Sequence, residues 1–389
     1  MSEVDETLRD AARWRQVERL MAAMPAYVEE GDRTGDLPAG LLAAAPADAL
    51  NRMNVPVPYG GLAATATARS RADVFERVGR ICPALPMALP GPGLAMPPVL
   101  SLGTEDQRRA FFALFTEAHE PRFAAFAITE PQGGSDAVAM RTTATRDGDE
   151  WILDGEKCFI SGGARADVTV VFATIAPDKG RFGIRAFLVP AGTPGFRVDG
   201  CEDMLGLRAS QLARLSFTGC RLPLTAMLGH NGRRGPFIDA FTGAQNAWNY
   251  MRPALAAGIN GACLGALDHA AALLRQGAVA GVSRRAAAGV TLAHFRARTA
   301  AARRIALAAA DRFDAGEDAS LDASMAKAFS ASLAMDLAEA LAALFPAEML
   351  VRGSRLEKFG RDAKAFDILE GTGEMQRLMI ARAFDPATI

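Results

Sequence analysis

The chain has 389 residues and a formal net charge of -1 at pH 7. A chain of this length can bury a large core and is expected to divide into two or three domains. Its balanced charge, without a basic tail or a run of like charges, argues against nucleic acid or an anionic membrane as the main partner.

Three further features bear on the cellular compartment. The first residues, MSEVDETLRD, lack the apolar segment of a secretory signal, and no apolar run of about 20 residues predicts a membrane span. The five cysteines form no CxxC pair and leave one over, as expected of reduced thiols. The four histidines are too scattered to indicate a metal site. We therefore expect a cytoplasmic protein without a metal centre.

Residues 1–120 are predicted to form an N-terminal α-helical domain. The stretches ETLRDAARWRQVERLMAAM and RADVFERVGRI have the apolar spacing of amphipathic helices, and Gly- and Pro-containing segments separate them. The GPG in PALPMALPGPGLAMPP predicts a turn, because no strand precedes it and the third glycine of a dinucleotide-binding loop is missing.

Residues 121–235 change to a period of two and are predicted to form a middle β domain. Strand candidates are FAAFAIT, AMRTTATR, EWILDGEK, VTVVFAT, IRAFLVP and ARLSFTG. RDGD between two of them indicates a hairpin. The short, evenly spaced strands predict a compact antiparallel barrel or sandwich.

Residues 236–389 are predicted to form a C-terminal bundle of about four helices. Pro253 is expected in the first turn of the first long helix. The small residues Gly258, Gly261 and Gly265 would let another helix approach closely.

Near the end of the chain, FDILEGTGEMQ places Glu370 among apolar residues where glycines interrupt the helical pattern. Desolvation of a carboxylate raises its pKa and makes it a better base near neutral pH. The alternative is a carboxylate in a loop or first helical turn with no chemical role.

Several motifs together resemble the acyl-CoA dehydrogenase family. They are AAFAITEPQGGSD at 124–136, WILDGEKCFISGGARAD at 151–167, RLEKFGRDAK at 355–364 and ILEGTGEMQ at 368–376. The resemblance extends over almost the whole chain. It implies an α+β protein with an N-terminal helical domain, a middle antiparallel β-barrel and a C-terminal four-helix bundle. It also implies FAD as cofactor and conversion of an acyl-CoA thioester to the trans-2-enoyl-CoA.

The resemblance implies roles for individual residues. Glu370 would take the α-proton while the β-hydrogen leaves as hydride to flavin N5, and its backbone N–H would hold the thioester carbonyl. Arg252 would orient substrate or base, unless it is an ordinary helix-surface arginine. Ser135 would lie between flavin and the pantetheine arm, unless GGSD is only a tight turn. The residues matched to cofactor binding are Phe126, Ile128, Thr129, Ser135, Phe159, Ser161, Thr372 and Glu374.

Met251 occupies the position at which some relatives carry the base instead. A thioether cannot accept the proton, which favours Glu370. The segment 83–100, rich in Pro, Gly and small apolar residues, is expected to line part of the acyl pocket.

Two family motifs that reach a neighbouring subunit's flavin are lost. Gly277, Ala280 and Gly281 stand at an R-x-x-F-G stretch that lacks its Arg and Phe. A Q-x-x-G-G-x-G loop is replaced, at the matched positions, by Ala343, Pro346, Ala347, Glu348 and Met349. A negative charge at Glu348 has the wrong sign for a diphosphate.

This loss of two motifs resembles the heteromeric acyl-CoA dehydrogenases of actinobacterial steroid side-chain breakdown, in which a related dehydrogenase subunit completes the site. A homo-oligomer that holds flavin differently, or a chain that binds it weakly or not at all, are the alternatives.

The leading hypothesis is an acyl-CoA dehydrogenase that passes electrons to an electron-transfer flavoprotein. The same chemistry on a carrier-protein thioester, or with reoxidation by O2, is a second hypothesis. A non-catalytic subunit that completes the site of a related chain is a third, although a pure scaffold has no need of a base.

Overall fold

Helices form the first and last parts of the chain, and strands form the middle. The structure is a computed structural model that describes residues 3–65, 67–230 and 240–384. The first helical region contains α1 (Glu3–Ala23), α2 (Val28–Thr34), α3 (Ala39–Leu42), α4 (Ala47–Asn51), α5 (Ala68–Gly79), α6 (Leu85–Ala88), α7 (Met96–Leu102) and α8 (Glu105–Thr116).

The middle region is one seven-stranded sheet. Its strands are β1 (Ala124–Ala127), β2 (Thr143–Asp147), β3 (Glu150–Ser161), β4 (Val168–Thr174), β5 (Ile184–Pro190), β6 (Phe196–Cys201) and β7 (Leu212–Pro223). The strand order is β1-β4-β2-β3-β7-β6, and β5 pairs with β4. The predicted RDGD hairpin joins β2 to β3, with Asp147 opposite Glu150.

Two details of the predicted β domain were wrong. The sheet is mixed, because β4 pairs in parallel with both β1 and β2. Sequence periodicity reports which face of a strand is buried but not the direction of its neighbour. Strand β6 was missed because FRVDGC is largely solvent-exposed and contains Asp and Gly, which are depleted in strands.

The second helical region contains α9 (Ala240–Arg275), α10 (Val282–Asp314), α11 (Ser320–Leu344), α12 (Pro346–Leu350), α13 (Arg355–Ile368) and α14 (Gly373–Phe384). Pro253 lies inside α9 rather than in its first turn, so that prediction was wrong. Helix α9 meets the length and hydropathy expected of a membrane-spanning helix, which the sequence reading had not anticipated. Because 61% of its most apolar window is buried inside the protein, this is weak evidence for a span.

Helices α5 and α9 pack at very short range through glycines, as the sequence predicted. A Cβ atom at Gly261 would overlap the carbonyl oxygen of Glu76 in α5, and one at Gly265 would overlap that of Arg80. A Cβ at Gly79 would in turn overlap the carbonyl oxygen of Gly258 in α9. Only glycine allows this approach, which brings α5 against the helix that carries Arg252.

Substitution of Gly261 by Ala is therefore expected to destabilise the protein. The added methyl has no free space, and overpacking of this kind costs about 1–3 kcal/mol of unfolding free energy. Urea denaturation followed by fluorescence measures the change.

The matched control is Gly289→Ala in α10, where a Cβ would meet no atom within 4 Å. Alanine is better than glycine inside a helix by about 1 kcal/mol, so this variant is expected to be as stable as the wild type or more so. Equal stability of the Gly261 variant and the wild type would contradict the packing described here.

Candidate active site

Glu370 lies in the short connection between α13 and α14. Its backbone is left-handed, with φ 54°. The next residue, Gly371, has φ 91°, and a Cβ there would come within 2.5 Å of Gln376 Nε2. A Cβ at Gly373 would overlap the Asp367 carboxylate. The two glycines of EGTG are thus required by local geometry, and they turn the chain so that Glu370 leaves the helical direction.

Hydrogen bonds fix this connection through backbone oxygens. Arg252 Nε donates to Glu370 O at 3.2 Å, and Gln376 Nε2 donates to the same oxygen at 3.3 Å. Lys327 Nζ donates to Asp367 O at 2.8 Å and to Gly371 O at 2.7 Å. The Glu370 carboxylate takes part in none of these bonds, and its Oε2 is buried without a hydrogen-bond partner in the described structure. These hydrogen bonds fix the backbone of the loop and leave the Glu370 carboxylate able to interact with a ligand in the cavity.

Burial changes the acidity of these groups. It raises the pKa of Glu370 to about 7, although the charges of Arg252 and Lys327 act to lower it. It also lowers the pKa of Lys327 to about 8 and the pKa of Arg252 below its usual range. A carboxylate that is half ionised near neutral pH is suited to general base catalysis.

A single cavity of about 1140 Å³ joins Glu370 to the β-sheet. It brings together nine of the residues predicted for the site: Phe126, Ile128, Thr129, Ser135, Phe159, Ser161, Arg252, Glu370 and Thr372. Met251 also lines it, as do eight residues of the predicted 83–100 segment: Pro86, Met87, Ala88, Leu89, Pro90, Gly91, Gly93 and Leu94. The volume is slightly above the range of about 300–1,000 Å³ that is usual for small-molecule sites.

Glu374 is placed differently. Its side chain is 76% exposed on α14, where it lies 3.9 Å from Arg377, and it does not line the cavity. Helical geometry explains this, since Met375, Gln376 and Met379 form the face of α14 that lines the cavity and Glu374 lies off that face. Thr372 lines the cavity but also accepts a hydrogen bond from Met375 N at 3.3 Å at the start of α14. Part of its role is therefore to cap the helix.

The β-sheet side of the cavity carries an exposed aromatic side chain. Phe159 is in β3 with a left-handed backbone, φ 56°, and is 54% exposed despite being a large apolar residue. Backbone strain of this kind is characteristic of ligand sites. Cys158 N donates to Thr129 O at 3.0 Å, which keeps the Thr129 segment beside Phe159. Thr129 and Phe159, two of the residues predicted to bind FAD, therefore lie side by side on the cavity wall.

A buried ion pair that the sequence reading missed supports this surface. Lys157 Nζ donates to Glu130 Oε1 at 2.7 Å and to Ile128 O at 3.1 Å. Glu130 also accepts from Arg141 N and Thr142 N, at 2.6 and 2.9 Å. Burial acts to raise the pKa of Glu130, but the Lys157 charge and these donors hold it near 2. The signal was present in the sequence, since Glu130 follows the run AAFAIT, Lys157 precedes the run CFI, and the two residues have opposite charges.

Other residues could not be found from sequence. Lys327 and Gln376 lie on helices whose patterns predict only packing, and neither was singled out. They contribute by fixing the loop of Glu370, which becomes evident only when α11, α13 and α14 are brought together.

Comparison with known proteins gives consistent results along the chain. Residues 2–119, 125–220 and 241–384 match the N-terminal, middle and C-terminal domains of acyl-CoA dehydrogenases. An acyl-CoA dehydrogenase of Bacillus subtilis (strain 168) is 34% identical over 335 residues, which are 85% of this chain and 86% of the relative.

Two solved structures are similar over nearly their full length. Butyryl-CoA dehydrogenase from Megasphaera elsdenii aligns with a TM-score of 0.83 at 25% identity, covering 99% of this chain and 98% of that one. A chain in a structure described as the electron transferring flavoprotein of Acidaminococcus fermentans aligns with a TM-score of 0.84 at 29% identity, with the same coverage.

These matches confirm the predicted fold class, an N-terminal helical domain, a middle sheet domain and a C-terminal helical domain. They also confirm FAD, which members of the family bind, as the cofactor. The chain belongs to the acyl-CoA dehydrogenase family of oxidoreductases, which act on CH–CH bonds.

Proposed function

We propose that this protein dehydrogenates an acyl-CoA thioester to the trans-2-enoyl-CoA with Glu370 as the base that removes the α-proton. The observation that carries the proposal is a carboxylate with a buried, unpartnered oxygen and a pKa of about 7 that lines the same cavity as Phe159 and Thr129. Thioester α-hydrogens are weak acids, so their removal needs a base of this kind close to the substrate.

In this proposal, different residues of the chain have different roles. Glu370 accepts the α-proton, and its backbone N–H donates to the thioester carbonyl, where enolate-like charge develops. Arg252 and Lys327 hold the loop and, by their positive charges, keep the Glu370 pKa from rising further. The Thr129 and Phe159 surface positions the cofactor. FAD, when bound, supplies the acceptor for the β-hydrogen as hydride.

We propose an electron-transfer flavoprotein as the physiological acceptor. The similarity to a chain from a structure of an electron transferring flavoprotein supports this choice.

A related but different subunit is proposed to complete the flavin site. The positions where neighbour-contacting motifs are lost lie in the connection between α9 and α10 and from the last turn of α11 into α12. Gly277, Gly281 and Ala347 are exposed there. Large apolar side chains beside them are also exposed, namely Val282, Leu350 and Val351. Exposed apolar groups of this kind are typical of a subunit interface.

Absorbance spectroscopy tests the function. Purified protein, alone and co-expressed with the related dehydrogenase subunits of its own genome, is expected to show a flavin spectrum that acyl-CoA thioesters bleach under anaerobic conditions. Flavin-loaded protein that no acyl-CoA bleaches would overturn the proposed function. Full flavin content in the chain expressed alone would overturn only the proposed partner.

A further inference from the structure

Arg71 in α5 is a buried cation that forms no ion pair with any of the described residues. Its residue is 1% exposed, and its Nε and Nη1 atoms have no hydrogen-bond partner among the described residues. The guanidinium carbon lies 3.5 Å from the centre of the Tyr250 ring, which supports one face of the group. Stacking leaves the N–H edge of a guanidinium unoccupied.

Asp314 is the carboxylate whose charge acts on Arg71. In the described structure its oxygens accept hydrogen bonds from backbone groups at the first turn of α5, from Ala68 N at 2.7 Å and from Arg69 N at 2.9 Å. Burial lowers the pKa of Arg71 to about 9, and the Asp314 charge opposes that change. Arg71 is therefore still positively charged at neutral pH.

Arg71 lines the same cavity as Glu370. The side chains that line it near α5 are mainly apolar, among them Val74, Phe75 and Val78. The cavity also has two exposed cations, Lys364 and Arg382, which solvent-borne phosphates can reach. Arg71, in contrast, is buried, so an anionic group can reach it only inside the buried part of the cavity. In the proposed function, the acyl chain is the part of the substrate that enters this part of the cavity.

We infer that Arg71 binds a carboxylate carried on the acyl chain, so that the preferred substrates are CoA thioesters of dicarboxylic acids. A carboxylate accepts charge-assisted N–H bonds from a guanidinium. Nε and Nη1 are the Arg71 donors that the described residues leave without a partner. An unbranched alkyl chain would leave both donors desolvated and unpaired, which is unfavourable. The inference rests on the proposed function, because it takes the cavity to hold an acyl thioester.

Binding of unreactive thioether analogues tests the inference separately from catalysis. The probes are S-(ω-carboxyalkyl)-CoA and S-alkyl-CoA of equal chain length, with a terminal methyl in place of the carboxylate, over acyl lengths of about four to eight carbons. Calorimetric titration of the full-length protein is expected to show about 10- to 100-fold tighter binding of the carboxylate form at one or more lengths.

Arg71→Met is expected to remove that preference while leaving the dissociation constant of the alkyl probe within about threefold, because the methionine keeps the apolar volume. Arg71→Lys should retain part of it. Arg69→Met is the matched control on the same helix, since Arg69 is paired with Asp311 at the surface, and it should leave the preference unchanged.

The wild-type measurement decides the question even if a variant fails to fold. Wild-type protein that binds the alkyl probe as tightly as the carboxylate probe at every length would overturn the inference, as would an Arg71→Met variant with the full preference. Bleaching of the flavin by alkyl acyl-CoA together with equal probe affinities would overturn this inference alone. Absence of bleaching by any thioester would overturn the proposed function.

Discussion

Glu370→Gln is expected to lower kcat by about 10²- to 10⁴-fold, the usual contribution of a positioned general base. Glutamine has nearly the same shape and cannot take the α-proton. The hydrogen bonds that fix the loop go to the backbone oxygens of Glu370 and Gly371, so they survive the change. The measurement is stopped-flow bleaching of the flavin with a saturating acyl-CoA.

The matched control is Glu374→Gln, four residues further along. That side chain is exposed and outside the cavity, so the same chemical change should leave kcat within about twofold, as for surface substitutions in general. Unchanged turnover in the Glu370 variant, or an equal loss in both, would rule out Glu370 as the base.

The pH profile provides an independent check of the same assignment. The base must be ionised, and burial raises the Glu370 pKa to about 7. For the free enzyme, kcat/KM should therefore rise with pH and level off above about 7. The raised pKa of Glu370 also affects stability. Above pH 7 the buried carboxylate is ionised, which destabilises the folded protein, and Glu370→Gln removes that charge. The variant should therefore be no less stable than the wild type above pH 7.

Lys157→Met is expected to lower the free energy of unfolding by about 3–5 kcal/mol, because it leaves the buried Glu130 charge without its partner. Lys157 is fully buried and also donates to Ile128 O, next to Thr129 on the cavity wall. Loss of flavin should therefore accompany the loss of stability. Urea denaturation followed by the fluorescence of buried Trp151 in β3 reports the first effect, and the ratio of flavin to protein reports the second.

The double variant Lys157→Met with Glu130→Gln distinguishes a charge effect from simple loss of packing. Neutralising Glu130 removes the unpaired charge, while the glutamine oxygen can still accept from Thr142 N. The double variant should recover a substantial part of the lost stability. No recovery, or a single variant as stable as the wild type, would show that the pair does not have this role.

The sequence predicted correctly those features that depend on residues close together in the chain. Apolar spacing predicted the helix, strand and helix regions, and the positive φ of Gly371 matches the interruption seen in the sequence. Prediction from the sequence failed where the interacting residues lie far apart in the chain. The parallel pairing of β4 and the interior position of Pro253 in α9 depend on neighbours and on helix propagation that no short window contains.

The residues of the site also divide into those that the sequence motifs identified and those that only the structure revealed. Motif matching named nine residues that the structure gathers in one cavity, whereas the tenth, Glu374, has its side chain exposed on α14 outside that cavity. A motif carries no information on which way a side chain points. Arg71, Lys327 and the Glu130–Lys157 pair went unnoticed, since burial is a property of packed helices and strands and not of any one segment.

The sequence by itself determined the succession of helical, β and helical regions and the family chemistry, and it indicated the acid that we propose as the base. These depend on periodicity, turn residues and a few contiguous motifs. Only the tertiary structure decided that the Glu370 loop is held through backbone oxygens, that its Oε2 has no hydrogen-bond partner in the described part of the chain, and that a buried arginine shares its cavity. Desolvation and charge neighbours are set by residues such as Arg71, Arg252 and Lys327, which come together only on folding.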